Sequence, residues 1–169
     1  MVDRAASVPS DWERHLSSCI PLFGHRNWIV VADAAYPAQS KPGIETIVAT
    51  ADQSHVVRKV LDAIISSGHL RPIVYVDREL AFVDESDAPG VAVYRKELET
   101  ELEDARVERL PHEQIIHKLD QCAEVFRILI IKTDMTIPYT SVFFELDCGY
   151  WNATAEERLR QAMRVAEAE

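Results

Sequence analysis

Several signals that identify common protein classes are missing from this sequence of 169 residues. No apolar run approaches the roughly 20 residues that a membrane-spanning helix requires, and the N-terminal stretch MVDRAASVPSDWERH has no apolar signal-peptide core. The patterns G-x-x-x-x-G-K-[ST] and G-x-G-x-x-G, which cradle phosphates and dinucleotides, are both absent. We therefore expect a cytoplasmic protein that has no membrane partner and no nucleotide cofactor.

Positive charge is also scarce. The chain has 18 lysines and arginines against 28 aspartates and glutamates, so its net charge is -10 at pH 7. A protein that binds nucleic acid neutralises phosphates with a basic face, and no basic cluster is visible here. The composition therefore excludes nucleic acid as the expected partner.

Cysteine is rare, and the three cysteines are far apart: Cys19, Cys122 and Cys148. None belongs to a C-x-x-C pair, which argues against a disulfide framework and a zinc knuckle and suits a reducing compartment. HEQIIH (112–117) lacks the i, i+4 histidines of H-E-x-x-H. We therefore predict no metal site and no cofactor, and we interpret the remaining histidines as surface or satisfied core residues: His15, His55 and His69.

The apolar pattern that is present alternates between strands and helices. Apolar runs predict strands at 28–33, 44–49, 72–77, 127–133 and 141–147. Helical spacing and capping residues predict helices from Ser10 (capping box with Glu13) and from Thr154 (capping box with Glu157), and at 52–68, 91–110 and 112–126. This order predicts an α/β sandwich. The short link 133–141 fits a hairpin, so the β-sheet is expected to be mixed.

Two ionisable residues lie at the two ends of the first predicted strand. His25 follows Gly24 in a loop, where it is either an exposed histidine or a general acid. Asp33 ends the apolar run, where it either caps the next turn or binds a ligand hydroxyl at the carboxyl end of the strand. The extended strand separates them by roughly 20 Å. We nevertheless expect both to line one pocket, bridged by one ligand or shared between neighbouring subunits.

Two further positions offer polar groups on defined backbone. His112 follows Pro111 and is either a helix-start residue or a ligand-binding imidazole. Tyr139 follows Pro138 and precedes a strand, with Ser141 two residues later, so this turn either only joins two elements or presents hydroxyls to a polyol.

Three segments, in this order, together resemble the D-ribose pyranase / L-fucose mutarotase family: LFGHRNWIVVADAAYP (22–37), RVERLPHEQI (106–115) and IIKTDMTIPYTSVFFEL (130–146). The resemblance spans about residues 10 to 150. It departs from the family at Arg26-Asn27, where a small residue and Asp are usual, and at Ser141, where the family has Asn. The helix between His112 and Tyr139 is about a turn longer than in the family, and the segment after residue 150 is extra.

The resemblance implies roles for these residues. It implies that His25 is the general acid and that sugar is bound by Asp33, His112, Tyr139 and the residue at the position of Ser141. It also implies a three-layer α/β/α fold, ring-like homo-oligomers whose sites are completed by a neighbouring subunit, and a reaction that needs no cofactor. We therefore expect one mutarotase-like domain over 1–150 and a helical extension over 151–169.

The function that follows is isomerisation of a free monosaccharide of the ribose or fucose type, between ring or anomeric forms. An alternative is a sugar-binding or regulatory protein that keeps the fold and pocket without turnover. A third possibility is a purely structural oligomer, which predicts neither sugar binding nor catalysis.

Overall fold

A computed structural model describes residues 9–167. Five α-helices are present: α1 (Asp11–Cys19), α2 (Gln53–Ser66), α3 (Val91–Glu101), α4 (His112–Ala123) and α5 (Ala153–Ala166). Six strands are present: β1 (Trp28–Ala32), β2 (Ile44–Val48), β3 (Leu70–Asp77), β4 (Val107–Leu110), β5 (Ile128–Lys132) and β6 (Val142–Cys148). Short 3-10 turns at Ile20–Leu22 and Arg78–Phe82 complete the described elements.

The six strands form one mixed sheet in the order β2-β5-β1-β6-β3-β4. Strand β1 is parallel to β5, β5 to β2, and β3 to β4, whereas β6 is antiparallel to both of its neighbours. The carboxyl ends of five strands therefore meet at one edge of the sheet.

Both faces of the sheet are covered, which explains why β1 is apolar at every position. Side chains of a strand alternate between faces: Ile29 and Val31 pack toward α1, α2 and α3, while Trp28 and Val30 pack toward α4. All five residues of β1 are buried. The three-layer α/β/α sandwich predicted from the sequence is confirmed.

The loop between β5 and β6 corrects one prediction. The link over 133–141 does not close a hairpin, because β1 lies between β5 and β6 in the sheet. Val30 pairs with Ile130 on one side and with Phe143 on the other. The prediction of a mixed sheet was right although its stated reason was wrong. The consequence is that the loop crosses over the carboxyl end of β1.

The region 91–110 corrects a second prediction. The helix ends at Glu101, and Val107–Leu110 forms the edge strand β4. Strand β4 pairs in parallel with β3, and its Val107 and Leu110 pack into opposite layers of the core. The sequence did not reveal this strand, because the strand covers only four positions. The charged helical pattern before it contains no glycine or proline that would mark the end of the helix.

The two predicted capping boxes have different outcomes. Ser10 and Glu13 form the capping box of α1 as predicted. Helix α5 instead begins after Asn152, whose side-chain oxygen accepts a hydrogen bond from the Ala155 N–H. No described side chain of α5 is buried. The proposed boundary at residue 150 stays a prediction.

Within residues 9–167, no helix combines the length and the apolar character that crossing a membrane would require.

Candidate active site

A cleft of about 610 Å³ opens at the carboxyl edge of the sheet. The ends of β1 and β3, the start of α4 and the loop between β5 and β6 meet there. The polar and aromatic side chains that line it include Asp33, Tyr36, Gln39, Asp77, His112, Glu113 and Tyr139. Parallel strands place their carboxyl ends together, so residues distant in sequence converge on one site. Three of the five residues predicted from the sequence lie here: Asp33, His112 and Tyr139.

Asp33 is held by two local partners. Its Oδ1 accepts a hydrogen bond from the Ala35 N–H at 2.9 Å, which is the turn-capping bond considered from the sequence. Its Oδ2 accepts a hydrogen bond from Ser141 Oγ at 3.0 Å, and the same Oγ accepts one from the Asp33 N–H at 3.2 Å. A carboxylate can accept about four hydrogen bonds, so both oxygens keep capacity for a ligand hydroxyl.

Ser141 lies behind the cleft. Its side chain is buried, with 2% of the residue exposed, and it does not line the cleft. The structure therefore brings Ser141 to Asp33 across two neighbouring strands. In this position the hydroxyl orients a carboxylate.

His112 is paired with a buried carboxylate that sequence reasoning missed. Its Nδ1 lies 3.0 Å from Asp77 Oδ2, and Asp77 is 2% exposed. Burial raises the pKa of Asp77 to about 6, against the lowering effect of His112. With Asp77 ionised, Nδ1–H donates to it, and Nε2 is then the ring nitrogen that can accept a hydrogen bond from a ligand. The signal was available, because Asp77 ends β3 as Asp33 follows β1.

Asp77 has unused hydrogen-bonding capacity. Its Oδ1 is buried and has no hydrogen-bond partner among the described residues. The backbone N–H of His112 donates to the Glu79 carboxylate at 3.0 and 3.1 Å, which fixes the first residue of α4. Hydrogen bonds made by the ring and by the backbone N–H thus fix the orientation of the His112 imidazole.

Tyr139 stands beside His112 at the mouth of the cleft. The two rings meet edge to face, with 5.8 Å between their centroids. Tyr139 is 41% exposed and has a left-handed backbone with φ of 59°. Such a conformation is costly for a residue with a side chain and persists only where the surroundings hold it.

A buried polar network supplies that support beneath the loop. Gln53 donates through Nε2 to the Thr140 carbonyl at 2.5 Å, and Tyr94 Oη donates to the same oxygen at 2.7 Å. Thr133 Oγ1 donates to Gln53 Oε1 at 2.6 Å, so the network joins both ends of the loop. Helices α2 and α3 therefore fix the loop that carries Tyr139.

Tyr36 adds a second phenol that sequence reasoning did not select. It is 5% exposed, and burial raises its pKa to about 12, so the phenol stays protonated at neutral pH. Its ring packs at a tilt against Phe143, and Gln39 Nε2 donates to its oxygen at 3.4 Å. Tyr36 therefore forms a rigid wall of the cleft.

His25 lies elsewhere in the protomer. It precedes β1, whereas Asp33 follows it, so a strand of five residues, roughly 17 Å, separates them. His25 does not line the cleft that contains Asp33. The expectation that the two residues line one pocket is therefore not met within a single chain.

The surroundings of His25 nevertheless define its tautomer. Its Nδ1 lies 3.0 Å from Asp147 Oδ1, and Arg26 Nε donates to its Nε2 at 3.2 Å. Because Nε2 accepts, the proton of the neutral ring is on Nδ1 and is donated to Asp147. Arg71 donates to the other Asp147 oxygen at 2.8 and 2.5 Å.

Asp147 stays ionised in this arrangement. Burial acts to raise the pKa of Asp147, but hydrogen bonds from Arg71, the Cys148 N–H and His25 lower it overall. Arg71, Asp147 and His25 thus form a chain that ends in an imidazole whose side chain is 56% exposed. The imidazole is therefore exposed and oriented, while its Nε2 accepts the hydrogen bond from Arg26.

The model of the RbsD / FucU transport protein family matches residues 12–148. No curated protein matches the chain.

Solved structures share the fold at low identity. The structure of Bacillus subtilis RbsD complexed with D-ribose is 17% identical, with a TM-score of 0.57, covering 86% of this chain and 98% of that one. The Streptococcus pneumoniae fucose mutarotase in complex with L-fucose is 19% identical, with a TM-score of 0.53, covering 83% of this chain and 96% of that one. FucU from Bifidobacterium longum is 14% identical, with a TM-score of 0.54, covering 79% and 92%.

The family match extends over most of the chain and includes all five residues singled out in the sequence. The matched segment also contains every strand of the sheet and the whole of the cleft. The chain therefore belongs to the RbsD / FucU transport protein family.

Proposed function

We propose that the protein binds a free monosaccharide of the ribose or fucose type in the cleft and interconverts its ring or anomeric forms without a cofactor. The observation that carries the proposal is the convergence of the Asp33 carboxylate, the His112 imidazole and the Tyr139 phenol on one cleft. These groups accept and donate hydrogen bonds, as recognition of a polyol requires.

The reaction needs only positioned acid and base groups. A cyclic hemiacetal opens when an acid protonates the ring oxygen while a base removes the proton of the anomeric hydroxyl. Closure on the other face, or through another hydroxyl, gives the second form. General acid–base groups supply roughly 10²–10⁴-fold acceleration. In this proposal Asp33, His112 and Tyr139 bind hydroxyls, and Ser141 holds Asp33. His25 is the general acid that protonates the ring oxygen, while the proton of the anomeric hydroxyl leaves to water.

His25 reaches the sugar from a neighbouring subunit in this proposal. The cleft of the same subunit lies at the other end of β1 from His25. The His25 imidazole is exposed and is oriented by Asp147. Assembly into a ring-like homo-oligomer would bring this imidazole to the cleft of the next copy. In the neutral tautomer, Nε2 of His25 carries a lone pair that accepts a hydrogen bond from Arg26. His25 therefore becomes the acid only after Arg26 has moved away and Nε2 has been protonated.

The solved structures support the substrate class. The Bacillus subtilis structure contains D-ribose and the Streptococcus pneumoniae structure contains L-fucose. The absence of any C-x-x-C pair supports a reducing compartment, so we place this reaction in the cytoplasm.

The test is saturation-transfer NMR of free ribose, fucose and galactose with purified protein. We expect faster anomer or ring exchange for at least one sugar, and loss of that acceleration in His25→Ala. The matched control is His117→Ala, an exposed histidine on α4 that does not line the cleft. The proposal fails if no sugar exchanges faster than it does without protein, or if His25→Ala equals the wild type.

The second candidate is a sugar-binding protein without turnover. Two observations favour it: Ser141 replaces the family's Asn and is buried behind Asp33, and His25 lies outside the cleft of its own protomer. Saturable sugar binding by calorimetry, together with unchanged exchange rates, would establish this candidate instead.

A further inference from the structure

A cluster outside the cleft brings three possible metal ligands together. His15 and Cys19 are on α1, and Glu45 is on the edge strand β2. One donor atom from each residue lies within 4.8 Å of the other two. The sequence predicts His15 to be a surface or satisfied core residue and predicts no metal site. The fold places beside it Cys19 and also Glu45, which is 30 positions away in the sequence.

The two helical ligands share one face of α1. Residues at i and i+4 on a helix are neighbours, so His15 and Cys19 point to the same side of α1. Glu45 reaches them from the sheet edge, with its Oε1 2.9 Å from His15 Nε2. Despite this proximity, His15 Nε2 is buried and has no hydrogen-bond partner among the described residues. An imidazole nitrogen and a carboxylate oxygen that face each other without such a bond can both donate lone pairs to a cation.

The donor types select the class of cation. Imidazole, thiolate and carboxylate together suit Zn²⁺ and similar borderline ions, whereas Mg²⁺ and Ca²⁺ prefer oxygen ligands alone. A tetrahedral zinc site places nitrogen and sulfur ligands about 3.6 Å apart, given bond lengths of about 2.1 and 2.3 Å. The donor atoms lie within 4.8 Å of one another, so no pair needs to approach by more than about 1.2 Å. His15 Nε2 and Glu45 Oε1, 2.9 Å apart, would instead separate by about 0.5 Å. The side chains of His15 and Glu45 are 35% and 55% exposed, so both can rotate inward.

The thiol and the carboxylate of the cluster border one cavity. A shallow cavity of about 330 Å³ is lined by Cys19 and Glu45, together with Arg127. A cation can reach the buried thiol through this cavity, and three protein ligands leave its fourth position for water. Binding releases the thiol proton, because the thiolate is the ligand.

We propose that His15, Cys19 and Glu45 bind one Zn²⁺-class cation, with water in the fourth position, and that this cation ties α1 to strand β2. This site is separate from the cleft, so its existence does not depend on the proposed sugar chemistry.

Co²⁺ titration of the full chain, prepared free of metal, tests the site. We expect a one-to-one complex with visible absorption of tetrahedral intensity and a thiolate-to-cobalt charge-transfer band, which added Zn²⁺ abolishes. Glu45→Gln removes an exposed ligand and should weaken Co²⁺ binding at least tenfold while metal-free melting stays unchanged. Cys19→Ser should abolish the charge-transfer band.

Matched controls use a cysteine and a histidine outside the cluster. Cys122→Ser and His117→Ala should leave the titration unchanged, because neither residue belongs to the cluster. The proposal is overturned if no one-to-one complex forms, if the charge-transfer band survives in Cys19→Ser, or if Glu45→Gln binds Co²⁺ as the wild type does. Glu45→Gln keeps the test decisive if Cys19→Ser does not fold.

Discussion

Asp77 and His112 form a carboxylate–imidazole pair at the floor of the cleft, with 3.0 Å between Oδ2 and Nδ1. Asp77 ends β3 and His112 begins α4, so the pair joins two elements that α3 and β4 separate in sequence. The buried carboxylate fixes the imidazole, while the imidazole side chain keeps 30% of its surface exposed. The pair thus combines a rigid support with an accessible ring.

The raised pKa of Asp77 predicts a pH-dependent effect of Asp77→Asn on stability. The pKa of Asp77 is about 6 in the folded protein against 3.8 for an ordinary aspartate, so the folded state binds the proton more tightly than the unfolded state does. Asp77 therefore stabilises the fold below about pH 4 and loses that contribution as pH rises through 6. Asn cannot ionise. We expect the stability of Asp77→Asn relative to wild type to increase from pH 4 to pH 7 by up to about 3 kcal/mol.

Urea denaturation at several pH values measures this difference. Asp120→Asn, on the half-buried face of α4, serves as the matched control. A wild-type and variant difference that stays constant from pH 4 to pH 7 would contradict the raised pKa.

Ser141→Ala tests the support of Asp33. The substitution removes both hydrogen bonds between the Ser141 hydroxyl and Asp33, and the hydroxyl lies in a buried site. We expect a loss of about 1–3 kcal/mol in the free energy of unfolding, because the Asp33 N–H loses its partner. We also expect weaker sugar binding, since the carboxylate keeps only its bond from Ala35.

Chemical denaturation and calorimetry with the substrate sugar measure the two effects. Ser17→Ala is the matched control, because its hydroxyl makes one exposed hydrogen bond on α1. That control should change stability by less than about 0.5 kcal/mol. Equal effects of the two substitutions would show that Ser141 does not support Asp33.

Gln53→Leu tests the network beneath the Tyr139 loop. Leucine fills a similar volume but removes the Gln53 acceptor of the Thr133 hydroxyl, which can still donate to the Ala32 carbonyl at 3.1 Å. It also leaves the Thr140 carbonyl with one donor instead of two. We expect a loss of about 1–2 kcal/mol in the free energy of unfolding, because hydrogen bonds are lost in a buried site. KM for the sugar should rise more than kcat falls, because the loop that presents Tyr139 loosens.

Thermal melting and exchange kinetics distinguish the two parts of this prediction. Gln161→Leu, on the exposed surface of α5, is the matched control and should leave both quantities unchanged. A stable Gln53→Leu protein with wild-type kinetics would remove the assigned role of the network.

Asp147→Asn tests the tautomer of His25. In the wild type the proton is on Nδ1, because Asp147 accepts it and Arg26 donates to Nε2. The variant loses the negative charge that holds this proton, so we expect a mixture of both tautomers in the ¹⁵N chemical shifts of the imidazole. Sugar exchange should slow by about tenfold, which is less than the roughly 10²–10⁴-fold effect of a positioned acid–base group, because the imidazole itself remains.

Glu108→Gln provides a control for the loss of one negative charge. Glu108 lies on the edge strand β4, away from His25, and pairs with Arg106. Unchanged ¹⁵N shifts in Asp147→Asn would contradict the assigned orientation, whatever happens to the rate.

Much of the fold could be predicted because its signals are local. The apolar run of β1, the stripe of α2 and the capping box of α1 each occupy one continuous stretch, and the structure contains all three elements. Two elements were missed for local reasons as well. A charged helical pattern precedes strand β4 and hides its start, and both Asn152 and Thr154 are suitable N-cap residues for α5.

Local patterns in the sequence were enough to predict the alternation of elements, the burial of the sheet on both faces, and the family likeness that selects Asp33, His112 and Tyr139. The partners of these residues became visible in the folded chain, because Ser141, Asp77 and Gln53 act across strands and helices distant in sequence. The folded chain also places His25 and Asp33 at opposite ends of β1, and Glu45 beside His15 and Cys19. Strand order and crossing direction set these contacts, and both depend on long-range packing that no local pattern records.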